Sequence, residues 1–212
     1  MDKKNLPENV PEFIGTTVHE INNFIFALSG FSELLQIESS GSDEHLSYLS
    51  ELGDAIDRLE NFGQKLLALT GRISTTIDST DLKTILSIID SLAVENITVV
   101  NNVAPSFKVD TDIFWMKQAF SELIHFSKSC QSRIEIRIEK KNNRLRLLWM
   151  MGDLCVQPNP DTIFQPYYST RIMFNEKGLG LSWLPGLFDS LNNAISFSSI
   201  GPRSCQFIMD FN

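Results

Sequence analysis

Long apolar runs are missing from this chain. None approaches the roughly 20 residues that a membrane span needs, so no membrane segment is expected. The opening residues, Met1-Asp2-Lys3-Lys4, lead into no apolar stretch, which argues against a signal peptide. Cysteine is scarce. Cys130, Cys155 and Cys205 are far apart in the chain, odd in number and without metal-ligand spacing. A disulfide framework is excluded, and a reducing, cytoplasmic location is expected. Basic clusters are absent too: none exceeds Lys140-Lys141, and the formal net charge is -8. Nucleic acid is therefore not an expected partner. His45 and His125 have no companions at metal spacing, no Ser/His/Asp arrangement stands out, and there is no repeat or low-complexity stretch.

What remains is an ordinary globular composition. The 212 residues are 42% hydrophobic and 21% charged, enough for one or two packed domains and too apolar for wholesale disorder. The pattern changes near residue 71, which divides the chain into 1–71 and 72–212. In the first part, Ile14, Val18, Ile21, Ile25, Leu28 and Leu35 step by threes, fours and a seven, the seam of a long helix from about Pro11 to Glu38. Ser39-Ser40-Gly41-Ser42-Asp43 makes a turn with a good cap. A second helix follows to about Thr70, striped by Leu49, Leu52, Ile56, Leu59, Gly63 and Leu66. Two narrow stripes bury poorly alone, and pairing two such hairpins into a four-helix bundle solves this. A homodimer through residues 11–70 is expected.

Gly71 to Ser79 is polar and reads as a linker. Mixed α/β patterning follows: a helix over Leu82–Leu92, a strand over Ile97–Val103, and a helix face at Ile113, Met116, Phe120, Leu123, Ile124 and Ser127. Arg133–Glu139 and Leu145–Met150 form a hairpin about Lys141-Asn142-Asn143. After a loop to about Lys177 come a helix near Leu181–Leu191 and a last hairpin, Ala194–Ser199 with Cys205–Phe211. Trp115, Trp149 and Trp183 fall on expected core faces. The expected class is α+β: a long antiparallel helical hairpin forming a dimeric four-helix bundle, then an α/β sandwich.

His19 carries most of the functional information. It follows a seam residue, Glu20 adjoins it, and Asn23 lies one turn further on. A neutral imidazole is nucleophilic near neutral pH, and a neighbouring carboxylate can take the proton of its other ring nitrogen. Gly15-x-x-x-His19-Glu20-x-x-Asn23 on the first helix of a hairpin resembles the phosphoacceptor box of sensor histidine kinases. The resemblance implies that the imidazole exchanges a phosphoryl group with an aspartate of a response-regulator receiver domain. Phe24 stands where the family often has proline, which leaves the helix straighter. Eighteen residues precede His19 in this sequence, so no sensor domain is expected ahead of it.

The second part resembles the ATP-binding domain of the same family. Ile163-Phe164-Gln165-Pro166-Tyr167-Tyr168-Ser169-Thr170-Arg171 is similar to its phenylalanine box, and Gly178-Leu179-Gly180-Leu181-Ser182 to its second glycine box. Glycines at a helix start let backbone N–H groups approach phosphate. Three departures strike one ligand. With Gln118 aligned, Glu122 and Phe126 replace the two asparagines that hold Mg²⁺ and phosphate; Glu122 still offers oxygen, Phe126 nothing. Met151-Gly152-Asp153-Leu154-Cys155 replaces Asp-x-Gly-x-Gly, and methionine does not accept the adenine amino group as aspartate does. Asp153 reaches that role only if the register slips by two residues. Glu176 replaces a glycine beside the phosphate loop and would repel a triphosphate.

Together these readings describe a degenerate kinase core resembling the dimeric histidine phosphotransferases of bacterial two-component phosphorelays. His19, Glu20 and Asn23 are the expected catalytic residues, with Asn22, Phe26 and Gly30 on the receiver-docking surface. Glu122, Phe126, Met151, Asp153, Gly178 and Gly180 mark a vestigial nucleotide site. No cofactor and no resident metal is expected, since the receiver would bring the magnesium. Two other classes stay open: a kinase with a divergent ATP site, and a regulator that binds a kinase or receiver without chemistry.

Overall fold

The computed structural model describes residues 10–37, 43–71, 73–92, 97–155, 157–166, 168 and 179–212. They form two compact units, Met1–Leu66 and Leu67–Asn212.

The first unit contains helix α1, Val10–Ile37, and most of helix α2, Asp43–Leu69. Their apolar residues sort into two rows. Ile21, Phe24, Leu28, Phe31 and Leu35 of α1 are half-buried, as are Leu52, Leu59, Phe62 and Leu66 of α2, where Ala55 is buried. The Phe24 and Phe62 rings meet with centroids 6.0 Å apart. The other row faces water: Ile25 is 52% exposed, Leu49 52% and Ile56 49%. The expected α1 seam holds at Ile21, Leu28 and Leu35 and differs at one position, where Phe24 rather than Ile25 makes the contact. Ile14 and Val18 lie outside the described side chains.

The second unit is a five-stranded sheet with helices on one face. Helix α3 spans Leu82–Leu92, α4 Ile113–Ser129 and α5 Leu184–Ser190. The strands are β2 Ile97–Asn101, β4 Arg133–Lys141, β5 Arg144–Gly152, β6 Ala194–Gly201 and β7 Ser204–Phe211, ordered β2-β4-β5-β7-β6. Among the described strands of this sheet, β2 and β4 pair in parallel and the other neighbours are antiparallel. Strict alternation buries Ile134, Ile136, Ile138, Leu145, Leu147, Trp149, Phe207 and Phe211 on one face. Phe120 of α4 stacks on Trp149 and Phe188 of α5 meets Phe211, which sets the core between that face and the helices. Trp115 and Trp183 are buried as expected. The Trp149 indole N–H donates to Ser127 Oγ at 3.0 Å, and that hydroxyl donates to the Leu123 carbonyl at 2.7 Å.

Several boundaries differ from the sequence reading. A small antiparallel pair, β1 Asp78–Asp81 with β3 Lys108–Thr111, was not expected, and β1 begins inside the stretch read as linker. β2 ends at Asn101 because the Asn101 side chain folds onto both backbone polar groups of Val103, a local turn that replaces the ladder. Helix α5 begins at Leu184, three residues late, with Pro185 in its first turn, where a missing N–H costs nothing. The β4–β5 turn does place Asn142 and Asn143 at φ 51° and 64°, the two left-handed positions of a type I′ hairpin.

Candidate functional site

The candidate phosphoacceptor segment lies on α1. Residues 15–23 are helical, so His19 and Asn23 stand one turn apart on one face. The side chains of His19 and Asn22 lie outside the described part of the structure. Glu20 is half-buried and Asn23 exposed. One turn beyond, Phe26 is 82% exposed, a large aromatic presented to water. At Gly30 an added Cβ would meet nothing within 4 Å. This stretch of α1 is therefore an open, partly apolar surface.

The second group of candidates gathers where the end of α4 meets the ends of β5 and β7. Phe126, on the position aligned with a metal-holding asparagine, is only 6% exposed and lies edge-on to Phe207, centroids 5.9 Å apart. Phe207 also meets Phe197 at 4.8 Å and Phe164 at 6.1 Å. A four-ring cluster thus spans α4, the sheet and the segment after β5. Glu122, one turn earlier, is half-buried.

Met151 is 1% exposed and sits in the ladder between Ile134 and Cys205. Asp153 follows the strand with φ 59°, a left-handed conformation that glycine adopts without a side-chain penalty. That conformation suits the register in which Asp153 occupies a glycine position and Met151 the aspartate position. The Asp153 carboxylate is exposed, 3.9 Å from the Arg133 guanidinium. Arg203 ties this corner down: its Nε donates to the Leu154 carbonyl at 3.0 Å, and its own carbonyl accepts the Leu154 N–H at 3.1 Å. Gly180 has φ 53°, whereas Gly178 and Glu176 lie outside the described residues. Of the phenylalanine box, Ile163 is buried and the Tyr168 hydroxyl accepts the Asn159 N–H at 2.8 Å. Tyr167 and Ser169 to Arg171 are not described.

The fold also assembles groups that sequence separation hid. The Cys155 thiol donates to the Cys130 carbonyl at 3.3 Å, although 25 positions separate them. Burial pushes the Cys130 thiol up to about 12, with further upward pressure from Cys205 and Cys155 nearby; burial alone pushes Cys205 up to about 12. Cys155 is exposed. The only cue in the sequence was that one cysteine ends a helix and another follows a strand. Among the described residues no three His, Cys, Asp or Glu side chains converge as metal ligands. No described helix is long and apolar enough to cross a membrane.

Phe126 and Met151 are both buried, and neither a phenyl ring nor a thioether offers the oxygen that a magnesium nucleotide would need from it.

No protein-family model matches the sequence, and no curated protein matches it. Solved structures do. The Acinetobacter baumannii histidine kinase AdeS is 17% identical with a TM-score of 0.57, over 92% of this chain and 97% of that one. Histidine kinase ThkA, in complex with response regulator protein TrrA, is 17% identical with a TM-score of 0.56, over 94% of this chain and 60% of that one. Full-length ShkA in complex with AMPPNP is 16% identical with a TM-score of 0.55, over 95% of this chain and 45% of that one. The chain therefore spans nearly all of the solved AdeS chain and about half of the ShkA chain. At these identities the likeness is one of fold: this chain has the fold of a histidine kinase catalytic core.

Proposed function

We propose that this chain, built on a histidine kinase core fold, is a histidine phosphotransferase that relays phosphoryl groups between receiver domains through His19. The observation that supports the reading is Phe126, buried against Phe207, on the position that the resemblance aligns with a metal-holding asparagine. A core that keeps its phosphoacceptor box and fills its nucleotide site with side chains is suited to exchange, not to making phosphohistidine from ATP.

In the proposed reaction a neutral His19 ring nitrogen attacks the phosphorus of a receiver aspartyl phosphate. An N–P bond forms, the aspartyl O–P bond breaks, and the carboxylate leaves. Glu20 holds the proton of the other ring nitrogen and so fixes the tautomer. The reverse transfer loads a second receiver. Asn23 positions the incoming group. Phe26, open to water, with Asn22 and Gly30 beside it on α1, supplies the docking face. That ThkA is seen with a response regulator supports a receiver as the partner of this fold.

We further infer a homodimer through α1 and α2. Ile25, Leu49 and Ile56 form the exposed second row, and burying a large aliphatic side chain contributes about 1.5–3 kcal/mol. A second hairpin supplies that burial in a four-helix bundle.

An ATP-dependent kinase is the second reading, favoured by the likeness to kinases over nearly the whole chain and by Glu122, which retains metal-binding oxygen. Phosphoryl transfer from a labelled receiver tests the first reading. Label should reach the wild-type protein and not His19→Gln; equal labelling of both would remove His19 from the mechanism.

A further inference from the structure

From Leu67 on, the last residues of α2 and the segment after them belong to the second unit and are held within it at several points. Ala68 is fully buried, and its backbone lies directly on Gly186 in α5. A Cβ built on Gly186 would fall inside the van der Waals sphere of the Ala68 carbonyl oxygen, 3.0 Å from its carbonyl carbon and 3.4 Å from that of Leu69. The same oxygen accepts the Gly71 N–H at 2.9 Å, and Gly71 ends the helix at φ 66°. Further along, Ile73 is buried, and the Ser74 carbonyl accepts Trp115 Nε1 at 3.3 Å. The Thr76 N–H donates to Asp112 Oδ2 at 2.7 Å. Asp112 Oδ1 accepts the Trp115 N–H at 3.2 Å, so one carboxylate caps α4 and holds the passing chain. The Trp115 ring meets Trp183, the residue before α5, at 6.3 Å. These contacts close a circuit from α2 through α5 and the start of α4 back to Thr76.

We propose that residues 67–71 and 73–76 form a strap that couples α5 and the start of α4 to the C-terminal turn of α2. A backbone-on-backbone contact such as Ala68 on Gly186 has no side chain to yield. Close-packed interiors shift as units instead of deforming smoothly. A partner that displaces α5 therefore moves the last turn of α2 with it. The use of the strap rests on the relay reading, under which α2 is the companion of the helix bearing His19. Its existence does not depend on that reading.

Amide hydrogen exchange on the full chain tests the coupling. Gly186→Ala pushes on Ala68 only, yet it should raise exchange at least tenfold at Gly71 and also at the distant Thr76. Asp112→Asn replaces the oxygen facing Thr76 with an amide; it should raise exchange at Thr76 and, reciprocally, at Gly71. Where Gly186→Ala fails to fold, Asp112→Asn and Trp115→Phe, which removes the donor to Ser74 and keeps an aromatic ring, carry the test. Exchange confined to α5 in Gly186→Ala, or to residues 74–76 and 112–115 in the other two, would mean two independent contacts and no strap. The readout involves no phosphoryl group, so a failed strap and a failed relay are told apart.

Discussion

Phe126 is the side chain on which the proposed loss of the nucleotide site turns. Its ring lies edge-on to Phe207, which also meets Phe164 and Phe197, and so it contributes to the core. Phe126→Asn should therefore cost about 3–5 kcal/mol, as loss of a buried aromatic does, and should confer no binding of magnesium-ATP. Chemical unfolding and calorimetric titration check the two halves. Ser127, next in the chain, accepts the buried Trp149 N–H. Ser127→Ala leaves that donor without a partner, and the expected loss is about 1–3 kcal/mol, read from the denaturation midpoint. The cysteines give a pH signature. Folded Cys130 and Cys205 hold their protons up to about 12, whereas an unfolded thiol releases its proton near 8.5. A raised folded value means that the contribution is complete below the unfolded value and is lost as pH climbs toward the folded one. Stability should fall between about pH 9 and 12, and a Cys130→Ala/Cys205→Ala variant should fall less. At neutral pH a thiol reagent should label exposed Cys155 quickly and the other two only on unfolding.

Among the elements, legibility followed periodicity. Helix α3 was readable because Leu82, Ile85, Ile88 and Ile89 mark one buried face. The β4–β5 hairpin was readable because alternation and an Asn-Asn turn agree. β1 and β3 were not, since Asp78-Ser79-Thr80-Asp81 and Lys108-Val109-Asp110-Thr111 are short, mostly polar and far apart in the chain, as in the pairing of Asp78 with Thr111. The helical stripes were read as one row each, while the structure divides them into a half-buried row and an exposed one. That division makes a prediction: Ile25→Asp with Ile56→Asp should convert a dimer to a monomer by light scattering and leave each hairpin's Phe24–Phe62 contact in place. The strap was invisible in the sequence. Gly186 reads as a helix weakener, and only three-dimensional contact with Ala68 explains it.

At the scale of the molecule, a histidine box and two nucleotide boxes were enough to indicate the fold, because each couples residue identity to a required helix start or turn. The state of the nucleotide site was harder to read. Met151 and Phe126 carry no group that would hold a metal or accept from a base, and that both are buried is visible only in the structure. The central claim is that phosphate reaches His19 from receivers and not from ATP. The most direct measurement supplies γ-labelled ATP with magnesium to the purified protein, beside a matched sample given a phosphorylated receiver. The account predicts label on His19 in the receiver sample alone, absent from His19→Gln. Label arriving on His19 from ATP would contradict it and make this chain a kinase.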